Sequence, residues 1–273
     1  MTLLHPHELA RKSADFVICC AGACVFAAVF LLWSLLALVL RRVLSQDTGR
    51  MTGRAFIMLG FRACLAFLSL TGRFRFDLTE LDALRDEKSL IIACNHPSLW
   101  DVVLLVSRLP DVSCIMKAGL VNNIFLGGGA RLACYIGNES PRQMIGAAAR
   151  DLQRGSHLLL FPEGTRTMRH PINPLTGSVG VIAHRARVPV QTVIIETDSA
   201  FLGKRWPLLK MPLLPMRYRV RLGRRFPAPD NRADFMAELE QYFMQELGAP
   251  QASQPSQASQ ATASPARSTE ITH

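Results

Sequence analysis

From Phe16 to Leu40 the chain runs for 25 residues without a charge. A helix of that length extends about 37 Å at 1.5 Å per residue, while a bilayer core is about 30 Å thick. Arg11 and Lys12 precede the run, and Arg41 and Arg42 follow it. A cleaved signal peptide has an apolar core of about 7–15 residues and a small-residue cleavage site. This run is longer and ends in Leu-Arg-Arg. It is also too long for an ordinary buried core helix. It reads as a membrane-spanning helix.

A second apolar stretch, Phe56 to Leu70, is short for a span and contains Arg62. An arginine at the membrane centre costs about 2.5–3.5 kcal/mol. Arg50, Arg54 and Arg62 fall on roughly one side of a helix. The stretch therefore reads as an interfacial or re-entrant helix beside the first, so that residues 16–72 form a membrane-embedded two-helix motif behind a flank, 1–15. Positive charge is denser after the first run (Arg41, Arg42, Arg50, Arg54) than before it, which places the remainder on the cytoplasmic side of a cell inner membrane.

Composition narrows the rest. An apolar fraction of 49% excludes global disorder. Seven cysteines in 273 residues are too sparse for a disulfide scaffold. Their count is odd and no C-x-x-C pair occurs, so they read as small buried hydrophobes in a reducing compartment rather than as a metal site. Residues 249–273 are mostly Ala, Gln, Ser, Pro and Thr, and read as a disordered tail.

The intervening segment, 77–248, alternates strand-like and helix-like patterns. Strands are expected at 89–94, 157–161, 188–196 and 217–222, and helices at 98–107 and 177–187. Ser140-Pro141-Arg142-Gln143 opens another helix, ended by Gly155. Asp230 is placed to cap a last amphipathic helix carrying Phe235, Leu239, Phe243 and Leu247, ended by Gly248. The expected class is α/β, a mainly parallel mixed sheet flanked by helices. Ligands of such sheets bind beyond the carboxyl ends of the strands. Two loops lie there.

The first loop is Asn95-His96-Pro97-Ser98-Leu99-Trp100-Asp101. With His96 in the turn and Asp101 in the first helical turn, their side chains converge. A carboxylate on the imidazole Nδ1–H fixes the tautomer and leaves Nε2 free to take a proton. The same residues also fit a capping box in which Asp101 serves only the helix start. The second loop is Phe161-Pro162-Glu163-Gly164-Thr165-Arg166-Thr167. Gly164 allows close backbone approach, Arg166 offers a planar fork for phosphate, and Glu163 either binds a hydroxyl or holds Arg166. A plain strand-end turn with a surface ion pair is the alternative.

No G-x-S-x-G elbow and no P-loop is present, and the glycines at 127–129 make no dinucleotide fingerprint because position 132 is Leu. A His/Asp pair without an enzyme nucleophile points to a nucleophile supplied by the substrate. His96 then deprotonates an acceptor hydroxyl, which attacks an acyl donor directly.

Asn95-His96 with Asp101, followed by Phe161-Pro162-Glu163-Gly164-Thr165-Arg166, resembles the signature blocks of the glycerophospholipid acyltransferases, most closely the PlsC-type 1-acyl-glycerol-3-phosphate acyltransferases. The resemblance spans roughly residues 77–225, with Val188-Pro189-Val190 similar to a later block. It implies acyl transfer from an acyl carrier protein or coenzyme A thioester to a lysolipid hydroxyl, giving phosphatidic acid where the acceptor is 1-acyl-glycerol-3-phosphate. It implies His96 as general base, Asp101 as its orienting partner, and Glu163, Gly164, Thr165, Arg166 and Lys117 in acceptor binding. No cofactor or metal is implied. The family's usual Arg in the second block is replaced by Asn138. Either Arg142 or Lys117 compensates, or the acceptor is a different, specialised lysolipid. A thioesterase and a non-catalytic membrane adaptor are the readings from other classes.

The formal charge is +10. Between Ala200 and Pro229 lie Lys204, Arg205, Lys210, Arg217, Arg219, Arg221, Arg224 and Arg225 with no acidic residue, interleaved with Trp206, Leu208, Leu209, Met211, Leu213 and Leu214. This stretch reads as a contact for an anionic membrane surface rather than for nucleic acid, with docking of an acidic acyl carrier protein and a solvated strand face as alternatives.

Overall fold

A computed structural model describes residues 6–121, 123–207 and 210–248. The expected tail, 249–273, and Leu208 and Leu209 lie outside the described residues.

The uncharged run is the centre of a longer helix, α1 (Pro6–Val43). A short turn leads to α2 (Gln46–Leu70), where Ser45 Oγ accepts the Thr48 N–H at 3.3 Å. This cap starts α2 well before residue 56. Both helices are long and apolar enough to cross a membrane by length and composition. They pair through aromatic contacts: Phe30 lies 5.1 Å from Phe61, and Trp33 stacks on Phe56 at 3.8 Å. Their outward faces leave Val25, Leu32, Leu36, Val39, Leu59 and Phe67 exposed.

Seven strands follow: β1 (Phe74–Asp77), β2 (Ile91–Cys94), β3 (Val112–Met116), β4 (Ile136–Gly137), β5 (His157–Leu160), β6 (Val190–Thr197) and β7 (Met216–Phe226). They form one sheet in the order β1-β7-β6-β2-β5-β3-β4. Every neighbouring pair is parallel except β6 and β7. The helices are α3 (Trp100–Val106), α4 (Ala118–Val121), α5 (Gly127–Leu132), α6 (Pro141–Gln153), α7 (Ser178–Ala186) and α8 (Arg232–Gly248). The mainly parallel mixed α/β sheet is as expected, while β1 and β4 are additions to it.

Strand alternation divides the core between the two faces of the sheet. Ile92 and Cys94 point to one face, where they meet Leu104, Leu105, Val193, Phe61, Leu65 and Trp33. Ile91 and Ala93 point to the other, against Ala148, Ile182, Leu239 and Phe243. Both faces are covered, so β2 and β5 are buried at every position. The N-terminal hairpin therefore belongs to the core of the sheet's first face.

Three expectations change. Asn231, not Asp230, caps α8: its Oδ1 accepts the Ala233 N–H at 2.9 Å. Cys20 and Cys24 are exposed on α1 rather than buried. Arg50 and Arg54 are buried against the domain while Arg62 is exposed. Arg54 donates to Asp111 at 2.6 Å, to Asp151 at 2.6 Å and to Ser156 at 2.8 Å. Arg50 donates to Ser156 at 2.8 Å and Asp111 at 3.3 Å. Two of the four arginines behind the orientation argument are thus neutralised inside the protein. The remaining pair, Arg41 and Arg42, balances Arg11 and Lys12, so charge asymmetry no longer favours one side.

The triple glycine 127–129 has a packing role. Gly128 N–H donates to Ser34 Oγ at 2.8 Å, and a Cβ on Gly128 would overlap the Ser34 carbonyl oxygen. A Cβ on Gly129 would lie 2.6 Å from Trp33 Nε1. Only glycine lets α1 lie this close to α5. Gly128→Ala is expected to cost about 1–3 kcal/mol, as overpacking does. A lowered unfolding midpoint in detergent checks this, and an unchanged midpoint would contradict the packing account.

Four of the five arginines of β7 are also paired internally, the exception being the exposed Arg217. Arg221 bonds Glu196 and Glu246, each at 2.8 Å. Arg225 grips Glu87 through two bonds of 2.6 and 2.7 Å. Arg224 meets Glu238 at 2.7 Å, and Arg219 lies 3.8 Å from Asp77. The acidic partners come from distant segments, which is why the strand looked like an unpaired basic face. Neutralising Arg219 and Arg221 with glutamine is expected to leave liposome co-sedimentation unchanged within about twofold, since a paired charge offers little to a headgroup. A marked salt-dependent loss would restore the membrane reading of β7.

Candidate active site

The carboxyl ends of β2 and β5 lie side by side, and the two loops leave from them. Asn95 closes β2 onto β6: its Nδ2 donates to Ile195 O at 2.9 Å, and its Oδ1 accepts Ile195 N–H at 2.8 Å. The chain then turns and starts α3 at Trp100. Asp101 Oδ2 accepts from Ser98 N–H at 2.8 Å and lies 2.7 Å from His96 Nδ1. The capping function and the histidine contact are therefore combined in one oxygen. Asp101 is fully buried, and among the described residues its Oδ1 has no hydrogen-bond partner. Burial pushes its carboxyl up to about 6, against the opposing pull of His96 and the Ser98 N–H.

The His96 ring stacks on Phe161 at 3.8 Å. With Nδ1 committed to Asp101, this stacking leaves the Nε2 edge as the reactive one. Among the described residues no partner is bonded to Nε2. The neighbouring Ser98 hydroxyl donates to Phe201 O at 2.8 Å, away from the imidazole. Cys94 is buried in β2, and burial holds its thiol well above its ordinary range. Neither is placed or activated as a nucleophile.

Glu163 is 4% exposed and ties the two loops together. Its Oε1 accepts from His96 N–H at 2.9 Å and from the Thr167 hydroxyl at 2.6 Å, while Oε2 accepts from Asn173 N–H at 3.0 Å. These three bonds fix its carboxylate between the two loops, and none of them goes to Arg166. Gly164 has φ +66, the left-handed region glycine favours, and its N–H closes a turn onto Phe161 O at 2.9 Å. Arg166 Nη1 donates to Leu202 O at 2.7 Å and Gly203 O at 3.1 Å. The Thr165 hydroxyl accepts from Lys204 Nζ at 2.7 Å. Arg166 and Thr165 thus anchor the segment after β6. That segment is also held by Leu99 N–H on Leu202 O at 3.1 Å.

Lys117 directly follows β3 at its carboxyl end and is exposed. No contact joins it to the His96 loop among the described residues. Asn138 lies beside it in the backbone pairing: its Oδ1 accepts Ala118 N–H at 3.0 Å, and its N–H donates to Met116 O at 3.1 Å. Asn138 therefore performs a structural tie that requires no charge. Arg142 is exposed in the first turn of α6.

Two cavities flank the His96 turn. An apolar one of about 390 Å³ lies between the hairpin and α3, lined by Phe16, Phe26, Phe67, Leu99, Trp100 and Phe201 among others. A more polar one of about 550 Å³ is bordered by Pro97 and Thr167. Sequence reasoning missed Phe161 as the stacking partner, Thr167 and Asn173 as clamps, and the 199–207 segment as a wall. Phe161 and Thr167 bracket the second loop and were open to inspection; Asn173 carried no local signal. Among the described residues no group of three or more His, Cys, Asp or Glu gathers to hold a metal ion.

A profile of the family described as Acyltransferase matches residues 75–196. The 1-acyl-sn-glycerol-3-phosphate acyltransferase of Pseudomonas aeruginosa is 24% identical over 173 residues, covering 61% of this chain and 65% of that protein. The Helicobacter pylori protein of that name is 27% identical over 169 residues, covering 59% and 67%. Human 1-acyl-sn-glycerol-3-phosphate acyltransferase beta is 24% identical over 137 residues, covering 46% and 48%. The chain thus aligns with about half to two thirds of the length of these relatives. The crystal structure of PlsC, the 1-acyl-sn-glycerophosphate acyltransferase of Thermotoga maritima, superposes with a TM-score of 0.67 at 14% identity, covering 89% of this chain and 100% of that one. This chain has the PlsC-like fold, and its residues 75–196, with the His96 and Glu163 loops, match the acyltransferase family model.

Proposed function

We propose that the protein is an O-acyltransferase that moves a fatty acyl group from a thioester to the hydroxyl of a lysolipid, 1-acyl-glycerol-3-phosphate being the acceptor that the relatives' names favour. The observation that carries this reading is the His96–Asp101 pair at 2.7 Å, with Nε2 open and no protein nucleophile bonded to it among the described residues. Nε2 takes the proton of the acceptor hydroxyl. The hydroxyl oxygen attacks the thioester carbonyl and forms a tetrahedral adduct. The C–S bond then breaks, and the departing thiolate takes the proton back from Nε2. Asp101 stabilises the imidazolium between these steps. Glu163 holds the His96 backbone in place through its N–H.

The apolar cavity between the hairpin and α3 suits an acyl chain, because its lining reaches from the hairpin to Leu99 and Trp100 beside His96. The hairpin keeps one face on the domain and offers the other to the membrane. The donor is a coenzyme A or acyl carrier protein thioester acting as co-substrate, without a resident metal or cofactor. A site that takes such donors would face the cytoplasm from an inner membrane.

Purified protein in phospholipid vesicles, given an acyl thioester and a panel of lysolipids, tests the reading by mass spectrometry. Phosphatidic acid formed from 1-acyl-glycerol-3-phosphate is the expected product. Turnover only with lysolipids lacking a phosphate monoester would move the acceptor to the specialised class.

A further inference from the structure

Asp101 holds His96 with one oxygen only. Its Oδ2 lies 2.7 Å from the imidazole Nδ1 and accepts the Ser98 N–H at 2.8 Å, while Oδ1 is buried and, among the described residues, unbonded. An ionised carboxylate has room for about four hydrogen bonds, and a buried one that lacks donors reverts to its neutral form. The Oδ1 side therefore has room for one more donor.

The topology brings one there. Met216, Tyr218 and Val220 alternate along β7 and point to the sheet face on which Leu104 and Leu105 of α3 pack. Tyr218 is 2% exposed and stands opposite Thr197 in the pairing of β6 with β7. The chain leaving Thr197 runs on to Phe201 and Leu202, whose carbonyls accept the Ser98 hydroxyl at 2.8 Å and the Leu99 N–H at 3.1 Å. The same segment thus connects the Tyr218 position to the turn that carries Asp101. The Tyr218 hydroxyl approaches the side chains of Ser98 and Thr197 and faces Asp101, yet completes no well-formed bond among the described residues.

The neighbours fix the direction of its proton. Ser98 Oγ places its own proton on Phe201 O, and Thr197 Oγ1 turns its proton to Ser199 O at 3.4 Å. Both oxygens are left as acceptors, so the Tyr218 hydroxyl, free to rotate about its C–O bond, is the donor of the group. Burial, with the Asp101 charge adding to it, pushes its phenol up to about 12, so it keeps its proton where the His96–Asp101 pair operates. The other titratable groups that face Asp101 are Glu163, whose charge opposes it, and Cys94, a weak thiol donor within β2. Asp198 faces Tyr218 as well, and its Oδ1 accepts the Arg217 N–H at 3.0 Å.

We infer that Tyr218 is a positioning residue for acyl transfer: its hydroxyl proton is held toward Asp101 and keeps that carboxylate ionised and aligned behind His96. Its role in turnover rests on the acyl-transfer reading; its place beside Asp101 does not.

The chain has three tyrosines, Tyr135, Tyr218 and Tyr242. The full-length protein is therefore labelled with 3-fluorotyrosine in detergent micelles, and each ¹⁹F resonance is assigned from a Tyr→Phe variant. The Tyr218 resonance is expected to shift with pH at a midpoint of about 6, following Asp101, and to stay still in Asp101→Asn. Tyr218→Phe is the kinetic companion, and it keeps the ring that lies 5.9 Å from Phe76. Without the hydroxyl, Asp101 loses a bond that favours its charged form. The acid limb of kcat is expected to move up by about one pH unit, the worth of a charge-assisted bond, with KM unchanged within about twofold. Tyr135→Phe is the control, since its buried hydroxyl faces Cys114, Arg54 and Asp111, away from the His96 turn, and its acid limb is expected to match wild type. A Tyr218 resonance that does not titrate, or titrates equally in Asp101→Asn, would overturn the inference, as would an unmoved limb in Tyr218→Phe or an equal move in Tyr135→Phe. Protein whose Tyr218 resonance follows Asp101 but which transfers no acyl group would overturn the activity and leave the contact standing. Active protein with a silent Tyr218 resonance would do the reverse.

Discussion

His96→Ala is expected to lower acyl transfer by about 10²–10⁴-fold, the usual contribution of a general base, while leaving the unfolding midpoint close to wild type. The imidazole is at the rim of the site, with its side chain 13% exposed and its ring on Phe161. The backbone N–H to Glu163 survives the substitution, so the two loops stay joined. Asp101→Asn is the companion change. The amide keeps a polar group beside Ser98 N–H but cannot stabilise an imidazolium, so a loss of similar order is expected in kcat. The pH profile follows from the burial of Asp101, which raises its carboxyl to about 6. A raised carboxyl is protonated below that value and ionised above it. As pH falls through about 6, Asp101 takes a proton and loses its ability to orient and charge the base. Wild-type rate should therefore decline on the acid side from about pH 6. The Asp101→Asn variant should lack that limb. Persistence of the limb in the variant would assign it to another group.

The second large effect is on stability. Arg54→Ala is expected to cost about 3–5 kcal/mol, the range for removing one partner from a buried ion pair. Its side chain is 1% exposed and holds Asp111, Asp151, Ser156 and the Ala133 carbonyl at once. Deletion leaves Asp151 at 10% side-chain exposure with its main counter-charge gone. In a chain of this size the change corresponds to a melting shift of about 6–20 °C. Asp151→Asn should return part of it, because the neutral amide no longer needs a cation. An Arg54→Ala protein that melts like wild type would show that α2 is held by apolar packing alone. This network also joins the hairpin to the amino ends of β3 and β5, since Asp111 and Ser156 directly precede them.

Local pattern made much of the fold legible. β2, β5 and β6 are short β-branched or leucine-rich runs, and each appears within about two residues of its expected place. Ser140 and Pro141 open α6 as their types require. The strands that escaped notice carry little pattern: β4 has two residues, and β1 alternates Phe with Arg and Asp at a sheet edge. Charge was misread where partners are far apart in sequence. Nothing near Arg54 announces Asp151, and nothing near Arg225 announces Glu87; topology alone brings them together. The site divides the same way. His96 and Asp101 are five positions apart across a turn, a spacing short enough to read. Glu163 joins segments that are apart in the sequence, so its bonds to His96, Thr167 and Asn173 were not visible before folding.

The central claim is direct transfer from thioester to lipid hydroxyl with His96 as base. A single measurement addresses it: acyl thioester and 1-acyl-glycerol-3-phosphate are incubated with the vesicle-bound protein in ¹⁸O-labelled water, and thiol, acylated lipid and free fatty acid are quantified together by mass spectrometry. The account predicts one acylated lipid per thiol released, no ¹⁸O-labelled fatty acid above background, and near-complete loss of both products in His96→Ala. Thiol release matched by ¹⁸O-labelled fatty acid, or acylated lipid formed at wild-type rate by His96→Ala, would contradict it.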